Sequence, residues 1–135
     1  AGLARHVRVV PGGLSDEDGE RAAAELLSGR ARPTAVVAFN DHCAAGLLAA
    51  VRQRGLDVPS ELSIVGYDDS HIAGLASIGL TTVAQDARRL ADTALGLAVE
   101  RADGRTGPPG LTVRTNTVSR SQNAPNIATP APTMR

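Results

Sequence analysis

The feature that most constrains the fold is a pair of short apolar runs on either side of a helical pattern. Residues 35–39 read AVVAF and residues 63–67 read SIVGY. Between the two runs, apolar side chains recur at helical spacing, at Ala44, Leu47, Leu48 and Val51. Short buried strands that alternate with helices are typical of right-handed βαβ units with parallel strands. The segment therefore predicts an α/β fold, an open and mainly parallel sheet with helices on both faces.

The flanking residues extend this alternation of strand and helix. Residues 7–10, VRVV, predict a strand that stops at the following proline and glycines. A helix should come next, because Ser15 can cap it and Asp18 lies three residues further on, as in a capping box. Downstream we expect one or two helical turns at 71–76, a strand at 80–85, a helix at 86–102 and a strand at 111–118.

Composition indicates one globular domain and excludes several classes of protein. The chain has 135 residues, of which 42% are hydrophobic and 21% charged. Its 14 basic and 14 acidic residues cancel, and no basic stripe is available to neutralise DNA phosphates. The single cysteine, Cys43, rules out an internal disulfide. No apolar run is long enough for a membrane span or a secretory signal, so the expected location is the cytoplasm, with no membrane partner.

Polar side chains follow two of the predicted strands. Asn40 comes directly after the first apolar run and Asp68 after the second. In open parallel sheets, ligands bind beyond the carboxyl ends of the strands. Asn40 could bind a ligand there, or it could simply cap the helix that begins at the same point. Asp68 is the favoured ligand residue, whereas Asp69 is expected to bond loop amides.

The residues that could support catalysis or metal binding are poorly arranged for it. Asp68 and Asp69 are adjacent on an extended segment and so point to opposite sides, which disfavours a metal site or a catalytic pair. The three histidines are dispersed along the chain, and Cys43 has no evident general base. No nucleophile elbow, phosphate loop or dinucleotide fingerprint occurs. We therefore expect no enzyme, no catalytic residue, no metal and no cofactor.

Three stretches of this sequence resemble a known family. They are FND at 39–41, RGLDVPSELSIVGYDD at 54–69 and LTTVAQ at 80–85. Together they closely resemble the effector-binding region of lactose-repressor/galactose-repressor (LacI/GalR) transcriptional regulators, over nearly the whole chain except its tail. The resemblance implies the C-terminal lobe of a type I periplasmic binding protein fold. It also implies a sugar or nucleoside-like effector held between two lobes, a homodimer, and DNA binding through a helix-turn-helix headpiece that this chain lacks.

The resemblance also suggests roles for five residues. It places Asn40 and Asp68 against sugar hydroxyls or nucleobase nitrogens. Gln85 would touch the ligand from the hinge between the lobes, although a glutamine that only bonds the hinge is an equal alternative. Leu14 stands where many relatives have a stacking aromatic ring. Phe39 could replace that ring, or it could belong to the core.

The resemblance further predicts how the chain is divided. Residues 1–118 would form the effector-binding lobe, within which the helix at 86–104 would pack on an absent first lobe. Residues 119–135 are polar and rich in proline, and we expect them to be disordered. The chain would thus be a truncated piece of a regulator. The alternative is a sugar-binding protein of an ABC transporter, which shares the fold but more often has a Gly-Phe-Asp-Gly type of loop.

Overall fold

The computed structural model describes residues 2, 4–29, 32–105 and 107, together with the backbone of 116–120. In these residues the elements follow in the order α1 (Asp16–Leu27), β1 (Ala35–Val37), α2 (Asp41–Gln53), β2 (Ser63–Asp68), β3 (Thr81–Gln85), α3 (Ala87–Ala102) and β4 (Asn116–Arg120). Short 3-10 helices also form at Ala4–His6 and His71–Gly74.

The described strands form one sheet in the order β1-β2-β3-β4. β1, β2 and β3 run parallel, and β4 pairs with β3 in the antiparallel sense. The predicted open and mainly parallel sheet is therefore confirmed. In the register, Gly66 lies beside Thr82 and Asp68 beside Ala84, so the carboxyl ends of β2 and β3 are level with each other.

Side-chain caps define where α1 and α2 begin. At α1, the hydroxyl of Ser15 accepts from the amide of Asp18 while the Asp18 carboxylate accepts from the amide of Ser15. This is the predicted capping box, and it satisfies amides that the helix leaves without partners. At α2, the Asn40 side chain accepts from the amide of Cys43 at 2.8 Å.

The two capped helices pack directly on each other at glycines. A Cβ atom built on Gly19 would lie 2.1 Å from the carbonyl oxygen of Cys43, and one on Gly46 would lie 1.9 Å from that of Asp16. The backbones therefore approach each other more closely than any side chain allows. This contact fixes the start of α1 against the start of α2.

The core lies between α2 and one face of the sheet. Its fully buried centre consists of Leu47, Leu48 and Val51 of α2, with Leu62, Ile64 and Leu80 around it. Helices were expected on both faces of the sheet. In the described part of the chain, the core formed with α2 lies on one face only. Alternate residues point to the opposite face, and there Val37 is 74% exposed. No residue of α3 is buried.

Two predicted elements differ from the structure. Residues 7–10 form no strand, and Val9 is 90% exposed. A strand requires a hydrogen-bonded neighbour, and among the described residues β1 pairs on one side only, with β2. The final strand, predicted at 111–118, is described at Asn116–Arg120, so it extends into Ser119 and Arg120, the first two residues of the predicted tail. Residues 108–115 and 121–135 lie outside the described residues.

Candidate functional site

The parallel strands bring the sequence-predicted site residues to one edge of the sheet. Asn40 follows β1, Asp68 ends β2 and Gln85 ends β3. In a parallel sheet these carboxyl ends lie on the same side. Two of the three side chains meet directly, since the Gln85 amide donates to Asp68 Oδ1 at 2.5 Å. Both are exposed to solvent.

Asn40 holds the first part of this edge together. Its side-chain oxygen caps α2, and its side-chain nitrogen donates to the carbonyl oxygen of Leu14 at 3.0 Å. The expected alternative role of Asn40, a helix cap, is therefore confirmed. Its role in ligand binding stays a prediction. The contact also brings Leu14, which precedes α1, next to the end of β1.

The two apolar candidates on this edge are open to solvent. Phe39 exposes 72% of its surface and Leu14 exposes 61%. The possibility that Phe39 belongs to the core is therefore wrong, although it ends an apolar run. An exposed ring next to Asn40 offers a flat apolar surface for a sugar or a base.

The backbone at the end of β2 adopts an unusual conformation. Asp68 has φ 111° and Asp69 has φ 55°, a region that residues with a Cβ atom rarely adopt. Each such residue costs about 1–3 kcal/mol and persists only where its surroundings hold it. Asp69 was expected to bond loop amides through its carboxylate. In the described residues its own amide instead donates to Thr82 Oγ1 at 3.3 Å.

A buried carboxylate lies directly beneath this turn. Asp41 is 1% exposed and accepts two hydrogen bonds, from Thr82 Oγ1 at 2.5 Å and from the Ser70 amide at 2.7 Å. An acidic residue in the first turn of a helix, as Asp41 is in α2, is ordinarily explained by the helix dipole alone. The Asp41 side chain actually links α2, β3 and the loop that follows Asp68.

Gly66 makes room for this carboxylate. A Cβ atom on Gly66 would lie 2.2 Å from Asp41 Oδ1 and 2.7 Å from Leu80 Cδ2. An isolated glycine inside a strand pattern is a known sign of close approach by another group. That sign was present in SIVGY and could have indicated a buried group at this position.

Two further reactive side chains, those of Cys43 and His42, lie in the first turn of α2. Cys43 is buried, and burial raises the pKa of its thiol, which disfavours the reactive thiolate. His42 points to solvent, where its Nδ1 lies 3.0 Å from Asp16 Oδ1. Among the described residues, no group of three or more histidine, cysteine or acidic side chains is placed to hold a metal ion.

Within the same part of the chain, no helix combines the length and apolar character that crossing a membrane requires.

A concave region lies at the opposite end of the strands, away from Asp68, where α1 and α2 end. It is lined by Ala24, Leu27, Ser28, Arg32, Arg54 and Leu56. Ligands of parallel sheets bind at the carboxyl ends of the strands, so this region is a poor candidate for the main site.

Comparison with known proteins agrees with this geometry. The family model described as periplasmic binding protein-like domain matches residues 1–121. The chain belongs to the periplasmic binding protein-like domain family. Its relatives include the HTH-type transcriptional regulator GalR of Escherichia coli (strain K12), 36% identical over 132 residues, which are 97% of this chain and 38% of GalR. The resemblance to LacI/GalR regulators is thereby confirmed.

The chain is also similar in fold to solved structures of LacI-type regulators. A LacI transcriptional regulator from a Rhodococcus species matches with a TM-score of 0.79 and 37% identity, over 92% of this chain and 46% of that one. A LacI family regulator from Lactobacillus casei, solved with bound sucrose, matches with a TM-score of 0.64 and 26% identity, over 82% of this chain and 41% of that one. This chain thus spans less than half the length of these three proteins.

Proposed function

We propose that this chain is the part of a LacI/GalR-type transcriptional regulator that senses a small neutral effector, a sugar or a nucleoside-like molecule. The observation that carries the proposal is the pairing of Asp68 with Gln85 at the carboxyl ends of adjacent strands. A carboxylate and an amide together accept and donate directional hydrogen bonds, as hydroxyl groups require.

The surroundings of this pair support a neutral, partly apolar ligand. Exposed Phe39 and Leu14 offer apolar surface beside Asn40, and sugars and bases both have a face suited to such a surface. The exposed carboxylate of Asp68 would repel an anionic ligand. The sucrose bound to the Lactobacillus casei regulator gives further support for a sugar.

The remaining parts of the proposal concern the intact regulator. DNA binding would use a helix-turn-helix headpiece outside this chain, and two copies would act together as a homodimer in the cytoplasm. We propose no catalytic activity, since the relatives are regulators. A sugar-binding protein of an ABC transporter has less support than a regulator, because the matches described above are transcriptional regulators.

The test is ligand binding by a chimera in which residues 1–121 replace the matching segment of the Rhodococcus regulator. Calorimetry would use sucrose, glucose, galactose and adenosine, with glucose 6-phosphate as an anionic comparison. We expect a neutral compound to bind, and Asp68→Ala to weaken its binding by about 1.5–3 kcal/mol, the usual value of a hydrogen bond to a charged group.

Asp57→Ala is the matched control. Asp57 is also exposed, but it precedes β2 and lies at the opposite end of that strand from Asp68. Asp57→Ala should therefore leave the affinity unchanged. Equal affinities of the Asp68→Ala and Asp57→Ala chimeras would remove Asp68 from the site, and absence of binding to every neutral compound would refute the proposed ligand class.

A further inference from the structure

The two amides that leave the sheet after Asp68 are both bound by buried side chains. The Asp69 amide donates to Thr82 Oγ1, and the Ser70 amide donates to Asp41 Oδ2. Thr82 Oγ1 also donates to Asp41 Oδ1, so Asp41 and Thr82 form one connected pair. Asp41 and Thr82 are each 1% exposed, which keeps both side chains from contacting a ligand bound by Asp68.

We propose that Asp41 and Thr82 are positioning residues that hold the Asp68 carboxylate in its ligand-binding orientation, an inference that rests on the proposed function. Asp68 and Asp69 both have positive φ. Neither is a glycine, so this backbone needs restraint from its surroundings. The contact with Gln85 cannot supply that restraint, because it joins two exposed side chains.

The buried pair supplies the restraint at the backbone itself. A backbone amide that leaves a sheet must find a new acceptor, and here two successive amides find theirs within 3.3 Å on elements fixed in the core. Without those acceptors the turn would relax towards ordinary negative φ, and the Asp68 side chain would move away from Gln85. Ligand affinity would then fall although no residue that contacts the ligand had been substituted.

The test compares Thr82→Val with two matched variants. Thr82→Val removes the hydroxyl from the network, whereas Thr82→Ser keeps it. Thr81→Val makes the same chemical change one residue earlier, and its side chain points to the opposite face of the sheet. Amide hydrogen exchange at Asp69 and Ser70, measured by NMR on the 135-residue chain, reports the turn directly. Affinity for the tightest-binding neutral probe, measured with the chimera, reports the site.

We expect Thr82→Val to speed exchange of both amides and to weaken probe binding, each by about tenfold, the effect of one lost hydrogen bond. Thr82→Ser and Thr81→Val should stay close to the unmodified protein. Adding Asp69→Gly to Thr82→Val should restore probe affinity, because glycine adopts positive φ without strain.

Several outcomes would overturn the proposal. One is that Thr82→Val and Thr81→Val show equal amide exchange, and another is that they bind the probe equally well. A third is that adding Asp69→Gly to Thr82→Val does not restore probe affinity. If Thr82→Val does not fold, Asp41→Ala, which removes both acceptor oxygens, takes its place, and faster exchange at Ser70 is then the expected result while unchanged exchange overturns the proposal. If the unmodified chimera binds no probe, the proposed function fails, and amide exchange still decides whether the pair holds the turn.

Discussion

The contact between α1 and α2 leaves no space for a side chain at Gly46, and this leads to a quantitative prediction. An added Cβ atom would lie 1.9 Å from the carbonyl oxygen of Asp16 and 2.6 Å from its carbonyl carbon. Such atoms are essentially never closer than 3.0 Å to a Cβ atom. Because the obstructing atoms belong to backbone, no rotamer change relieves the clash, and α1 must move away from α2.

Two opposing effects set the size of the change in Gly46→Ala. Overpacking of a core costs typically about 1–3 kcal/mol, and a clash with backbone should lie towards the upper end. Alanine in place of glycine within a helix returns up to about 1 kcal/mol. We therefore expect the free energy of unfolding to fall by about 1–2 kcal/mol, which lowers the melting temperature by roughly 3–7 °C.

Gly96→Ala provides the control for this prediction. Gly96 lies inside α3, and no atom of the described part of the chain lies within 4 Å of a Cβ atom built there. The same substitution should therefore raise stability by about 0.5–1 kcal/mol. Urea unfolding followed by circular dichroism measures both variants. If Gly46→Ala is as stable as the unmodified protein or gains stability as Gly96→Ala does, the close approach of the two helices is wrong.

Two further predictions concern pH and association. Hydrogen bonds from the amides of Ser15 and Leu14 lower the pKa of Asp18 from 3.8 to about 2. The ionised Asp18 carboxylate therefore stabilises the fold fully above pH 3.8, and this contribution is lost as the pH falls towards 2. Unfolding curves between pH 4 and pH 2 should therefore show a smaller loss of stability in Asp18→Asn, which does not titrate, and equal losses would contradict this. On α3, Leu95 is 66% and Val99 52% exposed, so we expect concentration-dependent self-association that Leu95→Glu reduces. Sedimentation velocity measures this, and a monomer at all concentrations would contradict it.

The sequence predicted those elements whose signals are local. The bounds of α2 follow from Asn40 at its start and Gly55 after its end, and both act within one turn of the helix. The strand predicted at 7–10 failed because strand formation depends on a partner that residue-by-residue patterns do not reveal. The register of β3 against β2, which brings Gln85 to Asp68, likewise depends on tertiary packing.

The candidate site shows the same division between local and tertiary information. The rule that parallel strands end on the same side of a sheet was enough to predict that Asn40, Asp68 and Gln85 lie at one edge. The role of Asp41 was missed because its partners lie 29 and 41 residues away along the chain. A first-turn aspartate that complements the helix dipole and one that is buried beneath a turn have the same local sequence.

Helix capping and ligand binding by Asn40 do not exclude each other. A side-chain amide can donate two hydrogen bonds and accept two. The Asn40 oxygen accepts one, from the Cys43 amide, and its nitrogen donates one, to the Leu14 carbonyl. Counting the described residues, one acceptor position and one donor hydrogen are left, which suffice for a single hydroxyl group of a ligand. The two structural bonds fix the orientation of the amide, so the same contacts that make Asn40 a good cap would also give it a defined direction towards a ligand.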